Sequence, residues 1–368
     1  MTTTDIRGAT RSFERWLGSQ IDLFKPDLEY KHERMAADPF AFMRATFYRW
    51  AQVWPEVLPD DAGAPRLDAV GDLHVENYGT WRDAEGRLVW GVNDFDEADV
   101  MPYTIDLTRL ATSVRMAAAV GRLSLPTRDA CEAILTGYRE SLAAGGRPYV
   151  LAERDRWLRR IVLSDVRDPA RFWARIGALP ALTRVPADID KALRKELPRG
   201  AAPPTWARRR GGLGSLGRHR IVARSEVQSS PVAREAKSVA LSAWEWARPD
   251  QSAGASLYLV TVDAAVRDPD PYCGVEGGWI VRRIAPDCGT VRLSDLAKKR
   301  DEYRLLKAMG WETGNIHLGS RGAIAAVKRD LRHRTTSWLH GAARVMSDSV
   351  RSDWKEWRRG YAAEHGPA

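Results

Sequence analysis

Only three cysteines, Cys131, Cys273 and Cys288, stand among 368 residues. None makes a CxxC pair, so neither a disulfide framework nor a cysteine-based zinc site is expected. Such usage fits a reducing cytoplasm. No apolar run approaches the length that spans a membrane, and the opening stretch MTTTDIRGATRSFERW lacks the apolar core of a signal peptide. A soluble cytoplasmic chain with no membrane partner is the expectation. Internal repeats and low-complexity tracts are absent too. Acidic residues are in deficit, 48 Asp and Glu against 57 Lys and Arg, a formal charge of +9. That balance favours something anionic: a nucleotide, a phosphorylated substrate, nucleic acid or an acidic surface. The blander account is an Arg-rich surface. WLRR at 157–160 and ARRR at 207–210 carry Trp beside basic residues, yet no nucleic-acid motif accompanies them, so nucleic acid is not the expected partner. The fifteen Trp sit mostly in apolar patterns and read as packing residues.

What is present reads as helix, then mostly strand, then helix. Phe13, Trp16, Leu17, Ile21 and Phe24 recur at helical spacing. Asp38 and Pro39 read as an N-cap and first helical residue before an apolar helix, FAFMRATFYRWAQVW. A loop over 60–65 leads into a short strand, LDAV; a second strand covers Leu88 to Val92. Helices are predicted over 105–120 and 128–145, then an Arg-rich stretch over 151–177. Pro180, Pro186, Pro198, Pro203 and Pro204 then punctuate a segment with few long apolar faces. SLYLVTV and GGWIVRRIAP are further strand candidates, and from Leu293 the pattern is helical again. The predicted boundaries are a helical catalytic lobe over 1–190, a β-rich nucleotide-binding lobe over 200–290, and C-terminal helices over 291–368 packing back on both.

Two acidic segments concentrate the chemistry: GDLHVEN at 71–77 and VNDFDEA at 92–98. Each follows an apolar strand, which gathers several carboxylates at one edge of a sheet. Mg²⁺ takes hard oxygen ligands, typically one or two carboxylates plus substrate phosphates. Asn77, Asp94 and Asp96 are the candidate ligands, and Asp72 could accept a proton from a hydroxyl nucleophile. His74 could ligate a metal or hold the loop by hydrogen bonds; the second fits better, because no nearby His completes a zinc set. Asp-rich loops also serve as plain turns and helix caps, but two of them about twenty residues apart make that account weaker.

Here the residues carry a resemblance. D-L-H-x-x-N, an apolar strand and then D-F-D resembles the catalytic and metal-binding loops of the aminoglycoside phosphotransferase and choline kinase group, which has the protein-kinase-like fold. The resemblance places Asp72 on the catalytic Asp, Asn77 on the Mg²⁺-binding Asn, and Asp94 on the metal-binding Asp of the D-F-G-type loop. Asp106, in YTIDLTRLA, falls on the Asp that opens a helix and braces the catalytic loop. Val70 departs from the pattern, where many kinases carry His. DPFAFMRATFYRW, GDLHVENYG, NDFDEADVMPYTIDLTRLATS, GGLGSLGRHR and VAREAK also resemble, over most of the chain, a bacterial family catalogued as domain of unknown function 2252.

A phosphotransferase also needs a nucleotide cradle. Gly212, Gly214 and Gly217, with Ser215 between them, spell GxGxxG between two candidate strands. Glycines let backbone amides approach phosphate oxygens. A Rossmann site would need the motif to open a helix; strand, glycines, strand is the protein-kinase arrangement. Downstream, PVAREAKS offers Arg234 or Lys237 to the phosphates, on opposite faces of a regular strand, with Glu235 or Glu245 as acidic partner. In ordinary kinases these parts precede the catalytic Asp, and here they follow it. The resemblance therefore implies an α+β, two-lobed kinase-like fold, circularly permuted. The expected function is ATP- and Mg²⁺-dependent phosphoryl transfer to an acceptor the sequence does not identify. The alternatives are a nucleotide-binding pseudokinase or sensor, and a metal-dependent phosphohydrolase, for which GD-x-H would supply ligands.

Overall fold

The structure, a computed structural model, describes residues 5–151, 153–162, 168–290 and 299–366. The chain opens with helices Ile6–Gly18 and Lys25–Ala37. The Asp38 carboxylate then accepts from the Ala41 amide at 2.8 Å, with Pro39 in the first turn, as an N-cap should. The expected single apolar helix is in fact two, Pro39–Ala45 and Phe47–Val57. Thr46 breaks it: its backbone leaves helical angles, and its hydroxyl turns back on the Phe42 carbonyl at 2.8 Å.

Four short strands follow, β1 (Arg66–Ala69), β2 (Tyr78–Arg82), β3 (Leu88–Val92) and β4 (Asp99–Pro102). β1 pairs antiparallel with β4, Ala69 opposite Asp99, and β2 with β3, Tyr78 opposite Val92. Residues 70–77 join β1 to β2 and residues 93–98 join β3 to β4. The two pairings therefore set both acidic loops side by side. β5 (Tyr149–Val150) extends the sheet beyond β3.

Helix Thr104–Ala119 is buried from Thr104 through Val114, so it runs through the core and not along its surface. Helices Thr127–Ala144, Lys299–His317 and Trp338–His365 pack around it. Trp50, Trp54, Trp90 and Trp244 lie buried in this core, as their apolar contexts predicted. Each contributes roughly 2–3 kcal/mol by leaving water.

The second sheet is antiparallel throughout and contains β6 (Ala181–Leu182), β7 (Thr205–Arg208), β8 (Arg220–Val227), β9 (Ser230–Ser238), β10 (Gly274–Glu276) and β11 (Trp279–Ile284). Its order is β10-β11-β9-β8-β7-β6. Gln228 and Ser229 take positive φ values of 49° and 63° at the β8–β9 turn, the twist that two-residue hairpins favour. Helix Ala187–Lys195 sets Ile189, Ala192 and Leu193 on Ile221, Ala223, Ala236 and Val281 of one face. The prolines around it concealed this helix in the sequence. β12 (Gly289–Thr290) crosses to the first sheet and completes the order β12-β2-β3-β5.

One strand expectation is overturned. SLYLVTV forms part of helix Tyr258–Ala264, with Tyr258, Thr261 and Val262 as its buried side. Those are i, i+3 and i+4, a helical stripe that β-branched composition disguised. The Arg-rich stretch holds helices Arg156–Val162 and Pro169–Gly177, its residues 152 and 163–167 lying outside the described residues. The expected helical start at Leu293 is likewise outside them. No described helix is long and apolar enough to cross a membrane.

Candidate functional site

A cleft of about 470 Å³ lies between the two acidic loops, the glycine loop and one face of the six-stranded sheet. Its floor is built from behind. Asp106, in the first turn of helix Thr104–Ala119, accepts from the amides of Val70 and Gly71, both at 2.8 Å. His317 Nε2 lies 3.0 Å from the same carboxylate, and its Nδ1 lies 2.8 Å from the Tyr138 hydroxyl. Gly71 has φ +81°, and a Cβ there would come within 2.5 Å of the Glu97 carbonyl, so only glycine fits. Ser113 takes the Val75 amide at 3.0 Å. Asp106 thus stands behind the loop as its brace.

On this frame, Asp72 Oδ1 accepts from Arg109 Nε at 2.8 Å. Arg109 is one helical turn after Asp106. Its Nη2 also reaches the Met43 carbonyl at 2.8 Å, and its guanidinium lies 5.1 and 5.0 Å from the Phe47 and Trp50 ring centres. Burial pushes the Asp72 carboxyl above its ordinary range, against the pull of Arg109. His74 Nδ1 accepts from the Glu76 amide at 3.1 Å. Burial, reinforced by Arg44 and Arg109, holds its imidazole well below the usual range, so it is neutral near pH 7.

Asn77 ties the two loops together. Its Nδ2 donates to the carbonyls of Asp72 at 3.2 Å and Asp94 at 3.1 Å, which turns the carboxamide oxygen away from both. Lys237 Nζ lies 3.1 Å from Asp94 Oδ1 and also ion-pairs with Asp96. Asp96 meets Arg218 at 3.4 Å as well. Burial works to raise the Asp94 carboxyl, but Lys237, Arg220 and Arg282 hold it far below its ordinary value. Among the described residues, no group of three or more Asp, Glu, His or Cys stands ready to hold a metal ion. Asn77 and Asp94 would bring two oxygens to a cation that draws its other ligands from phosphates and water, which is the usual habit of Mg²⁺.

Strand alternation settles which basic residues share the cleft. Glu235 and Lys237 of β9 lie on the same sheet face as Arg220 of β8, opposite Lys237, and Arg282 of β11, opposite Glu235, and the two arginines line the cleft. Glu235 is fully buried and takes Arg220 at 2.7 Å, Arg282 at 2.9 Å and Arg209 at 2.5 Å. Burial would raise its carboxyl; the three guanidiniums hold it well below the usual range. Arg234 is not brought to the site. It points to the other face, its Nε on the Glu196 carbonyl at 2.8 Å and its guanidinium 4.3 Å from the Tyr272 ring. Of the two cations the sequence left open, only Lys237 meets the acidic loops. Glu245, the other acidic partner considered, stands in helix Ala243–Ala247.

The glycines join adjacent antiparallel strands, β7 and β8. Gly214 comes so close to the loop over 70–77 that a Cβ there would lie 3.3 Å from both Asp72 Oδ2 and the Arg44 carbonyl. A Cβ on Gly212 would meet nothing within 4 Å. Ser215 Oγ accepts from Arg220 Nη2 at 2.5 Å. Gly217 gives its carbonyl to the Phe24 amide at 2.8 Å. Asp27 takes Arg208 and Arg210, each at 3.0 Å, so helix Lys25–Ala37 clamps the base of the loop.

Sequence reading passed over several members. Arg109 was detectable as a cation three residues after Asp106 in an otherwise apolar helix. Arg209, Arg220 and Arg282 could be found only by pairing the strands. Glu97, whose Oε2 accepts from the Ala243 amide at 2.6 Å, is pushed up to about 7 by burial. No curated protein and no solved structure matches the chain. Over residues 25–170, which hold both acidic loops and Asp106 but stop short of GGLGSLGRHR and VAREAK, the chain is similar to the bacterial family described as "Uncharacterized protein conserved in bacteria (DUF2252)".

Proposed function

We propose that this chain is a Mg²⁺-dependent ATP phosphotransferase of kinase-like layout, with the catalytic loops placed before the nucleotide-binding sheet. One observation carries the reading: Asn77 joins the Asp72 and Asp94 backbones, Lys237 pairs with Asp94, and Gly214 closes on Asp72. Three groups far apart in sequence converge where a terminal phosphate and an attacking hydroxyl would meet. Antiparallel strands flanking the glycines favour the same layout over a Rossmann site. Permuted order is physically permissible, since the same contacts form whichever lobe comes first. A cytoplasmic setting belongs to this reading.

In this mechanism Asp72 orients the acceptor hydroxyl and takes its proton, and Arg109 favours the carboxylate form against the upward push of burial. Asn77 and Asp94 would hold Mg²⁺, which when bound neutralises phosphate charge. Lys237, Arg220 and Arg282 present fixed positive charge to the phosphates. Phosphoryl transfer needs little more than such positioning and charge.

A pseudokinase reading draws on one observation: Arg109 occupies Asp72 Oδ1, which lowers its strength as a base. Tight MgATP binding with no turnover on any hydroxyl would favour it. The hydrolase reading has less support, because His74 gives Nδ1 to its own loop. The deciding experiment is calorimetry of ATP with and without Mg²⁺ on wild type and Asp94→Ala. Mg²⁺-dependent binding that falls at least about tenfold in the variant is expected, roughly 1.4 kcal/mol or more. Equal affinity in the two proteins would sink the reading.

A further inference from the structure

Helix Lys25–Ala37 turns Lys31 into the cleft. Lys31 is only 4% exposed. Its ammonium donates one long hydrogen bond, 3.5 Å, to the Gly214 carbonyl and lies 5.9 Å from the centre of the Tyr48 ring. Among the described residues it closes no ion pair within 4.0 Å. An ammonium has three donors, and burying one with so little compensation is costly. Burial accordingly lowers its pKa, against the pull of Glu14, Glu97 and Asp72 and with Arg218 adding to the lowering. Arg109, Arg218, Arg220 and Lys237, the other buried cations around the cleft, each pair with a carboxylate.

The surroundings define a subsite. Gly214 touches both Lys31 and, by its close approach, Asp72. Arg44 lies alongside: its Nη1 pairs with Glu76 at 2.6 Å, but its Nε is buried with no hydrogen-bond partner. Phe13 and Leu17 supply an apolar wall. The phosphate-facing cations, Lys237, Arg220 and Arg282, stand on the sheet, on a separate element. Two cations with spare donors therefore stand near Asp72, on helices Lys25–Ala37 and Pro39–Ala45 and not on the sheet.

We propose that the acceptor carries an oxyanion, a carboxylate or a phosphate, which seats on Lys31 and Arg44 while its hydroxyl meets Asp72. This assignment rests on the phosphotransferase reading. It defines the substrate class as an anionic alcohol with an apolar stem against Phe13 and Leu17.

The test fills the nucleotide site first. Protein saturated with a non-hydrolysable Mg-ATP analogue, so that the γ-phosphate position is occupied, is titrated with inorganic phosphate and with malonate. Wild type, Lys31→Met and Lys31→Arg are compared, with melting temperature as the fold control. Lys31→Met should stay folded, with a melting temperature equal to or above wild type. It should bind the better oxyanion at least tenfold more weakly, with MgATP affinity within about threefold; Lys31→Arg should recover most of the loss. Preference between the two probes separates a phosphate-bearing from a carboxylate-bearing acceptor. Oxyanion binding that Lys31→Met leaves unchanged, or no oxyanion binding by wild type, would overturn the assignment. So would an equal loss of MgATP affinity, which would give Lys31 to the nucleotide. If wild type fails to bind MgATP, the phosphotransferase reading falls separately, and the same titration on nucleotide-free protein still decides whether Lys31 holds an oxyanion.

Discussion

The two sides of the cleft are held in different ways. The loop over 70–77 hangs on backbone bonds: Asp106 holds two amides, Ser113 a third, and the Asn77 amide two carbonyls. The sheet face is held by ion pairs: Glu235 with three arginines, and Lys237 with Asp94 and Asp96. Backbone bonds fix a shape whatever the charge of the contents. Ion pairs depend on the charges that meet there, with Glu235 and Arg220 both buried. One side is held by shape and the other by charge.

Removing the brace should have the largest effect. Asp106→Ala leaves two buried amides and His317 without their acceptor, and each such group costs about 1–3 kcal/mol. A loss of roughly 3–5 kcal/mol in urea unfolding, little changed by salt, is expected. A loss below about 1 kcal/mol would show that the loop keeps its shape unaided.

Glu235→Gln should come next. It leaves three guanidiniums crowded without a counter-charge, and breaking a buried pair costs about 3 kcal/mol. Here, unlike at Asp106, millimolar phosphate or sulfate should recover much of the lost melting temperature. Equal rescue of both variants would erase the distinction between the two sides.

The smallest effect is a pH profile. Burial raises Glu97 and Glu312 to about 7. A carboxyl raised on folding binds its proton more tightly in the native state, so stability should increase modestly as pH falls from 8 to about 5. Asp94 and Glu235 are depressed, so their contribution is complete above the unfolded carboxylate range and is lost as pH falls below about 4. A melting-temperature maximum near pH 5 is expected. A monotonic rise to pH 8 would mean that Glu97 and Glu312 are ionised in the folded protein.

Local signals were legible and distant ones were not. Strand Leu88–Val92, the Asp38 cap, the turn between strands at the glycines and the place of Asp106 at a helix start could all be read from neighbours in sequence. Alternation also put Arg234 and Lys237 on opposite faces, but the facing strands had to be known to choose between them. Thr46 hid a break because its neighbours are apolar on both sides. SLYLVTV misled because a seven-residue stretch with four β-branched or aromatic residues satisfies both periods. His317 reaches Asp106 from 211 residues away, and nothing near either residue announces the other.

That last separation has a consequence for biosynthesis. The loop over 70–77 leaves the ribosome early, yet its brace is incomplete until helix Lys299–His317 has been made and has docked beside Thr127–Ala144. A nascent chain arrested before that helix would carry every acidic residue of the cleft without the His317 contact that helps hold Asp106. The cleft should therefore take its final shape late in synthesis.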